Sequence, residues 1–556
     1  MSSKETLFFS VSLVFLGYLA FIRGPELRTD SLVHFLHAKE IIANLDIKSL
    51  FTNLWDKPIP IILYGISGQI SLFAARMVSV SLTLLAGFFI FRLCSNSVQT
   101  INDNMPVTTC FFLFMLPVLP QSYVTNTELP AAFILSLGLF LFYVKRKYSL
   151  AYLSIGFLPF ARLEASLIMA LIFLTFSYHL FILFKKENFE KIYITILLKN
   201  IYGSLPFVLW YLIGVILSDN VLWMLQGNYA HLRPLNLPLI LQHNAITALP
   251  KIFTSPILMI FFLGLLTPFQ MKKNYRINTI NITMLGILFI HIIFLSMFIV
   301  YPKGSVNWEK LISAWNDRNF IVIAPVLAFY VYTGAAFLYS FSKKLANRGL
   351  KSGEKNIFTV KVIISYLLTI ASIYFCNKHF FLPSSTEKYF ILLHATIIFI
   401  VAILLFSLKK DIKLNLINLL AMISFLSVFI TTPSFWYPTK HNDPDVLICN
   451  ELKMWLTEKY HNEHVNIVHD ISGTLDRFIN SSTIKAPWIW PSDFIDTAEK
   501  YNGKTLIIFT TQGPKHTISP HYPPNILKFL EKYPLVGKSV SKYPYGWVVF
   551  EFQKEI

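Results

Sequence analysis

The sequence predicts a polytopic α-helical membrane protein that ends in a small α/β domain. Three observations predict it. Of the 556 residues 54% are hydrophobic and 14% are charged, whereas a soluble domain carries about 25% charged residues. The apolar residues fall into runs long enough to cross about 30 Å of hydrocarbon, which takes about 20 helical residues. After Thr431 the pattern changes to short alternating strand-like and helical segments. This composition excludes a water-soluble enzyme. The 51 Phe and 26 Tyr also exclude disorder over most of the chain, because they would leave too much apolar surface in water.

The expected spans are 6–22, 76–94, 107–123, 129–144, 149–160, 163–184, 193–217, 253–270, 281–300, 319–341, 359–376, 389–407 and 414–431, about thirteen in all. The stretch 149–184 would be about 54 Å long as one helix, too long for one crossing. Lys145, Arg146 and Lys147 precede it, and Lys185 and Lys186 follow it. It therefore reads as a hairpin that turns at the outer surface near Pro159, Arg162 and Glu164. With the N-terminus inside, the inner loops hold Lys145 to Lys147, Lys185/Lys186/Lys191, Lys272/Lys273/Arg276, Lys343 to Lys355 and Lys409/Lys410/Lys413. Outer loop 121–128 has no Lys or Arg. This asymmetry follows the positive-inside rule and accounts for most of the net charge of +18 without nucleic acid. It places the C-terminus outside. Residues 6–22 lack the small-residue cleavage site of a signal peptide and read as a span.

Two domains follow: a transmembrane domain, 1–431, whose first outer loop is 23–75, and an extracytoplasmic α/β domain, 432–556. The latter shows helical pattern near 446–460, 494–501 and 525–533, and strand-like VNIVHD, TLIIFTT, LVGKSV and WVVFEF. Cys94, Cys110, Cys376 and Cys449 have neither metal-ligand nor disulfide spacing. D-P-D at 443–445 reads as a linker, and His441, His461, His464 and His469 are scattered. Asn480-Ser-Ser is a bare glycosylation sequon, and no glycine-rich phosphate loop occurs.

The first outer loop carries acids and bases at a membrane surface: Asp30, His34, His37, Lys39, Glu40, Asp56 and Lys57. IPIILYGISGQISLF within it suits a helix lying in the interface. An acid after span one is followed by A-K-E-I-I at 38–42, W-D-K-P at 55–58 and A-A-R-M-V-S at 74–79. This order resembles the GT-C membrane glycosyltransferases that use polyprenyl-phosphate sugars, above all the family 39 protein O-mannosyltransferases and the lipid A aminoarabinose transferases. The resemblance is best over 25–95, weaker over 120–170, and at the level of topology elsewhere. Two positions depart from the pattern. Ser31 stands where many members carry a second acid, which argues against a metal in this loop, and Ile59 replaces the second proline of a K-P-P-like turn.

The resemblance implies a GT-C fold of about thirteen spans and a transferase. It would move a sugar from undecaprenyl or dolichyl phosphate to an acceptor outside the cytoplasm. Asp30 would be the general base that takes the acceptor hydroxyl proton; as T-D before an apolar helix it also reads as an N-cap. Lys57 would meet the donor phosphate, where charge grows in the transition state; it also reads as an interfacial lysine. Arg162 and Glu164, in a P-x-x-R-x-E segment, read as phosphate and sugar ligands or as an ion pair. Glu128, in N-T-E-L-P, reads as an acceptor-side residue or as an acid on a helix dipole. Arg318, in W-N-D-R-N-F, reads as a bidentate phosphate ligand or as an anchor beside Trp315. His34 joins the acceptor side.

No cofactor follows, and a divalent metal has no support in the sequence. The implied partners are the polyprenyl-phosphate-linked sugar, a glycolipid, polysaccharide or protein acceptor, and membrane lipid. The bacterial plasma membrane ranks ahead of the endoplasmic reticulum. The competing classes are a lipid-linked polysaccharide polymerase or ligase, and a polytopic transporter or flippase. Polymerases and ligases place their functional residues in a late loop, whereas here the longest loop is the first. A transporter predicts mid-span charges and repeated halves, which the chain lacks.

Overall fold

The computed structural model describes residues 3–22, 30–54, 56–97, 122–184, 189–226, 249, 253, 255–267, 275–297, 317–348, 360–372, 444–460, 463, 465–469, 484–485, 498–501, 504–512, 517–518, 528, 531–539 and 545–553. The expected spans 389–407 and 414–431, most of 107–123, D-P-D at Asp443, His441, His461, His464 and the Asn480 sequon lie outside them.

The described chain is mostly helical. Apolar helices run over Ser3–Ile22, Leu72–Ser97, Glu128–Tyr143, Ser166–Leu183, Phe189–Ser218, Ser255–Leu266, Tyr275–Met297 and Ala324–Arg348, with Val360–Ser372 beyond. Among the described residues four stretches are by themselves long and apolar enough to cross a membrane: Leu72–Asn96, Leu163–Leu183, Glu190–Ser218 and Phe320–Leu338. One large apolar core joins the helices, from Leu16 and Val80 through Leu135, Ile172 and Met284 to Leu327. Outward faces stay apolar as well, with Leu174 and Ile216 among the most exposed large side chains. Water does not tolerate that pattern over contiguous surface, whereas lipid does.

The run 149–160 is divided more finely than its hydropathy suggests. A helix spans Tyr148–Gly156, a single turn spans Leu158–Ala161, and Arg162 is extended at φ −149° and ψ 113°. Pro159 is the second residue of the short turn, where the N–H it lacks is not needed, whereas a helix continuing from Gly156 would need it. A 3-10 turn, Leu163–Ala165, then leads into Ser166–Leu183.

The first loop is built rather than solvated. Helix Asp30–Ala43 lies against helix Pro58–Ile70, and the short helix Ile47–Thr52 connects them. Phe35, Ala38, Ile41, Ile61, Tyr64 and Ala75 form their shared core. On Pro58–Ile70 the exposed residues Ile62, Ile66 and Ile70 repeat every four positions, while Ile61, Tyr64, Gly65 and Gly68 are buried. One apolar stripe therefore faces the core and a second faces outward, as an interfacial helix requires.

Toward the C-terminus, helix Pro444–Lys459 covers a six-stranded sheet. Its strands are β1 (Val465–His469), β2 (Ile484–Lys485), β3 (Lys504–Gln512), β4 (Thr517–Ile518), β5 (Leu535–Lys538) and β6 (Tyr545–Gln553). The order is β2-β1-β3-β6-β5, with β4 on the end of β3. β1 pairs in parallel with β2 and β3, while β6 runs antiparallel to β3 and β5. Successive residues alternate between faces. Ile467, Leu506, Ile508, Trp547 and Val549 meet Leu452 and Leu456 of the helix, while Val468, Ile507, Phe509 and Val548 face the other way.

Candidate active site

The turn Asn53–Pro58 is held by its own polar groups. Asn53 donates its Nδ2–H to Asp56 Oδ2 at 3.0 Å and accepts the Asp56 backbone N–H on Oδ1 at 3.2 Å. The next residue, Lys57, has φ 60° and ψ 153° and caps helix Pro58–Ile70, whose first position is proline. Proline suits that position because its missing N–H is not needed there. A non-glycine residue at positive φ costs about 1–3 kcal/mol and persists only when its surroundings determine it. Here they do: the Lys57 N–H donates to Asn53 O at 3.3 Å, and its carbonyl accepts the N–H of Ile61 at 3.2 Å.

Lys57 is 7% exposed, so it does not snorkel into water. It lies within electrostatic reach of Glu164, Arg162, Asp56 and Glu128. Burial pulls its ammonium group down to about 8; Glu164 opposes the shift and Arg162 adds to it.

Arg162 stands at the break of the 148–183 hairpin, and its guanidinium is shared between two carboxylates. Its Nη1 donates to Glu128 Oε1 at 2.7 Å and to Thr127 Oγ1 at 3.0 Å. Its Nη2 pairs with Glu164 Oε1. Glu128 is 1% exposed and opens helix Glu128–Tyr143, so the helix dipole and the arginine favour the same charged form. The strand of chain before Glu128 is tied to the loop. Tyr64 donates its hydroxyl to Asn126 O at 2.9 Å, and Ser79 donates to Val124 O at 2.6 Å. Trp210 Nε1–H donates to Phe51 O at 2.8 Å, which fastens the loop to the long helix Phe189–Ser218.

Beside Lys57, Asp56 is 1% exposed and accepts from two imidazoles. His34 Nδ1–H donates to Oδ1, and His37 Nδ1–H donates to Oδ2 at 2.9 Å. Burial works against the ionised carboxylate, but the hydrogen bonds from His34 and His37 outweigh it and hold Asp56 at about 2. His37 is raised by its bond to Asp56, and burial only partly offsets that.

The structure thus brings together Lys57, Glu128, Arg162 and Glu164 from three places in the chain, with His34 joined to them through Asp56. Asp30 is the first residue of its helix, one turn before His34 and at nearly the same helical phase as His34 and His37. Arg318 lies in the 3-10 turn Asp317–Ile323, which packs on helix Glu128–Tyr143. For Asp30 and Arg318 the structure describes the backbone alone. Asp56 and His37 are not among the expected site residues. The available signal is the spacing of His34 and His37 on one helix face, together with an acid immediately before Lys57. Among the described residues no group of three or more His, Cys, Asp or Glu is placed to hold a metal ion.

Two solved structures match the chain almost end to end. The crystal structure of ArnT from Cupriavidus metallidurans bound to undecaprenyl phosphate aligns with a TM-score of 0.53 and 12% identity, over 99% of this chain and 98% of that one. The apo form of the same protein aligns with a TM-score of 0.54 and 10% identity over the same shares. The chain has the ArnT fold. No family model matches it, and no curated protein matches it. ArnT is a GT-C lipid A aminoarabinose transferase, so the fold agrees with the resemblance carried by the first loop.

Proposed function

We propose that the chain is a GT-C glycosyltransferase that moves a sugar from a polyprenyl phosphate to an acceptor outside the cytoplasm. The observation that carries this reading is the end-to-end ArnT fold, seen there with undecaprenyl phosphate, together with the buried Lys57 at the first-loop turn of this chain. In this reading about thirteen spans, N-terminus inside, form the catalytic domain, residues 1–431. Residues 432–556 form an outer α/β domain, and the bacterial plasma membrane is the setting.

The roles follow from chemistry. Asp30 takes the proton from the acceptor hydroxyl as its oxygen attacks the anomeric carbon and the lipid phosphate leaves from the opposite face, which inverts that centre. Lys57 neutralises charge growing on the leaving phosphate, and a desolvated site makes that interaction stronger than it would be in water. Arg318 adds a second cation. The terminal nitrogens of Arg162 are engaged by Glu128, Thr127 and Glu164. A phosphate must therefore compete for Arg162, and its main work is to hold Glu164 and Glu128 in place around Lys57. His34, one turn after Asp30 on the same helix, is the acceptor-side residue and also bonds Asp56.

The test is transfer by the purified full chain from synthetic undecaprenyl-phosphate sugars, paired with mass spectrometry of surface glycans from a deletion strain. Loss of a single sugar residue in the deletion strain, restored by the gene, names sugar and acceptor together. An unchanged glycan profile and no transfer from any polyprenyl-phosphate sugar would overturn the reading.

A further inference from the structure

The Asp56 carboxylate is more completely engaged than a turn residue needs to be. It is 1% exposed, one oxygen accepts from His34, and the other accepts from His37 at 2.9 Å and from Asn53 at 3.0 Å. An N-cap or turn aspartate satisfies the local backbone, whereas the two imidazoles reach Asp56 from 22 and 19 residues away in sequence. Both stand on helix Asp30–Ala43, one and two turns after Asp30. The residue bonded to Asp56 on its other side is Lys57, whose backbone is held at a φ of 60°. One carboxylate thus connects the helix that Asp30 opens with the strained residue that carries the buried ammonium group.

We propose that Asp56 is a positioning residue: clamped by His34 and His37, it fixes the Lys57 turn against the helix that begins at Asp30. The distance between the base and the phosphate-binding cation is then set by one buried linkage. This inference rests on the reading of Lys57 as the donor-phosphate ligand. A static hydrogen-bonded brace suits that task because reactive geometry tolerates little displacement. Asp56 touches neither donor nor acceptor in this scheme and acts only through Lys57.

The experiment uses the full chain purified in detergent, with two readouts. The first is binding of undecaprenyl phosphate by wild type, Asp56→Asn, Lys57→Ala and the double variant. Asp56→Asn keeps the shape and the Asn53 contact but removes the charge that both imidazoles bind. Binding should weaken roughly tenfold, the size of one hydrogen bond to a charged group, and should weaken no further when Lys57 is already alanine. The second readout is acetylation of Lys57 followed by mass spectrometry, with exposed Lys145 as internal reference. Labelling of Lys57 should rise relative to Lys145 in Asp56→Asn. His34→Gln, which removes one arm only, should shift both readouts in the same direction and serves if Asp56→Asn does not stay monodisperse. Unchanged Lys57 labelling in a folded variant overturns the proposal, and so does an equal loss of binding with and without Lys57. Wild type that does not bind undecaprenyl phosphate, with Lys57 labelling that still rises in Asp56→Asn, leaves the clamp standing and sinks the functional reading instead.

Discussion

Lys57 titrates where experiments are easily done. Burial, its largest influence, brings the ammonium group to about 8. Its charge is complete below that value and fades as pH rises through it, so the affinity for a phosphate donor should fall above about pH 8. Lys57→Arg moves the titration out of range because a guanidinium stays charged. The donor KM of the arginine variant should stay flat where that of wild type rises; a rise in both would assign the titration elsewhere. Asp30→Asn isolates the base. Asn and Asp cap helices comparably, so the variant should fold and bind donor, while transfer drops about 100-fold or more. Full transfer would refute the assignment. The Asp56 clamp has its own pH window. Asp56 is depressed, so its contribution is present above about 4 and is lost as pH falls toward about 2, on the order of 2 kcal/mol. His37 is raised, so its contribution is complete below 6.5 and is lost as pH climbs through its higher folded value. His37 is half exposed, so its share is small. The stability difference between wild type and Asp56→Asn should therefore be largest between about pH 4 and 6.5, measured by thermal unfolding.

At the scale of elements, the site depends on how closely two helices of the first loop approach. A Cβ on Gly65 would stand 2.4 Å from Ala38 O and 2.5 Å from Ile42 Cγ1. The first of these is backbone and cannot rotate away. Gly65→Ala should push helix Pro58–Ile70 off helix Asp30–Ala43, lower thermal stability by about 1–3 kcal/mol, and reduce donor binding. Gly17→Ala, whose nearest neighbour would be Met77 Sδ at 3.5 Å, should leave both near wild type. These elements also show what a sequence can reveal. Amphipathic IPIILYGISGQISLF announces its helix, and Pro159 with Arg162 announces the hairpin break, because both signals are local. Lys57, Glu128, Arg162 and Glu164 are individually legible as ionisable groups beside apolar runs. That they meet is not legible, since it depends on tertiary ties such as Tyr64 to Asn126 and Trp210 to Phe51. The role of Asp56 is not legible for the same reason. Within W-D-K-P it reads as a turn acid, and its histidine partners belong to another helix.

For the whole molecule, the arrangement of charge along the chain predicts one orientation, which is the premise of every role proposed above. A lipid-phosphate donor flipped to the outer leaflet can reach Lys57 only if the first loop is outside. The positive-inside asymmetry demands the same arrangement, because moving the Lys145 to Lys147 cluster across the bilayer would place three cations on the wrong side. Cysteine labelling tests it directly. With Cys94, Cys110, Cys376 and Cys449 replaced, single cysteines can be introduced at exposed Lys48, Lys145 and Glu458. A membrane-impermeant maleimide should label Lys48→Cys and Glu458→Cys in intact cells, and Lys145→Cys only after permeabilisation. Labelling of Lys145→Cys in intact cells with protection of Lys48→Cys would put the carboxylate and lysine cluster on the cytoplasmic face. A nucleotide sugar would then be the accessible donor, and neither Asp30 nor Lys57 would keep its role. Glu458→Cys protected while Lys48→Cys is labelled would leave the mechanism intact and change the number of crossings between residues 349 and 443, the interval that holds three of the expected spans.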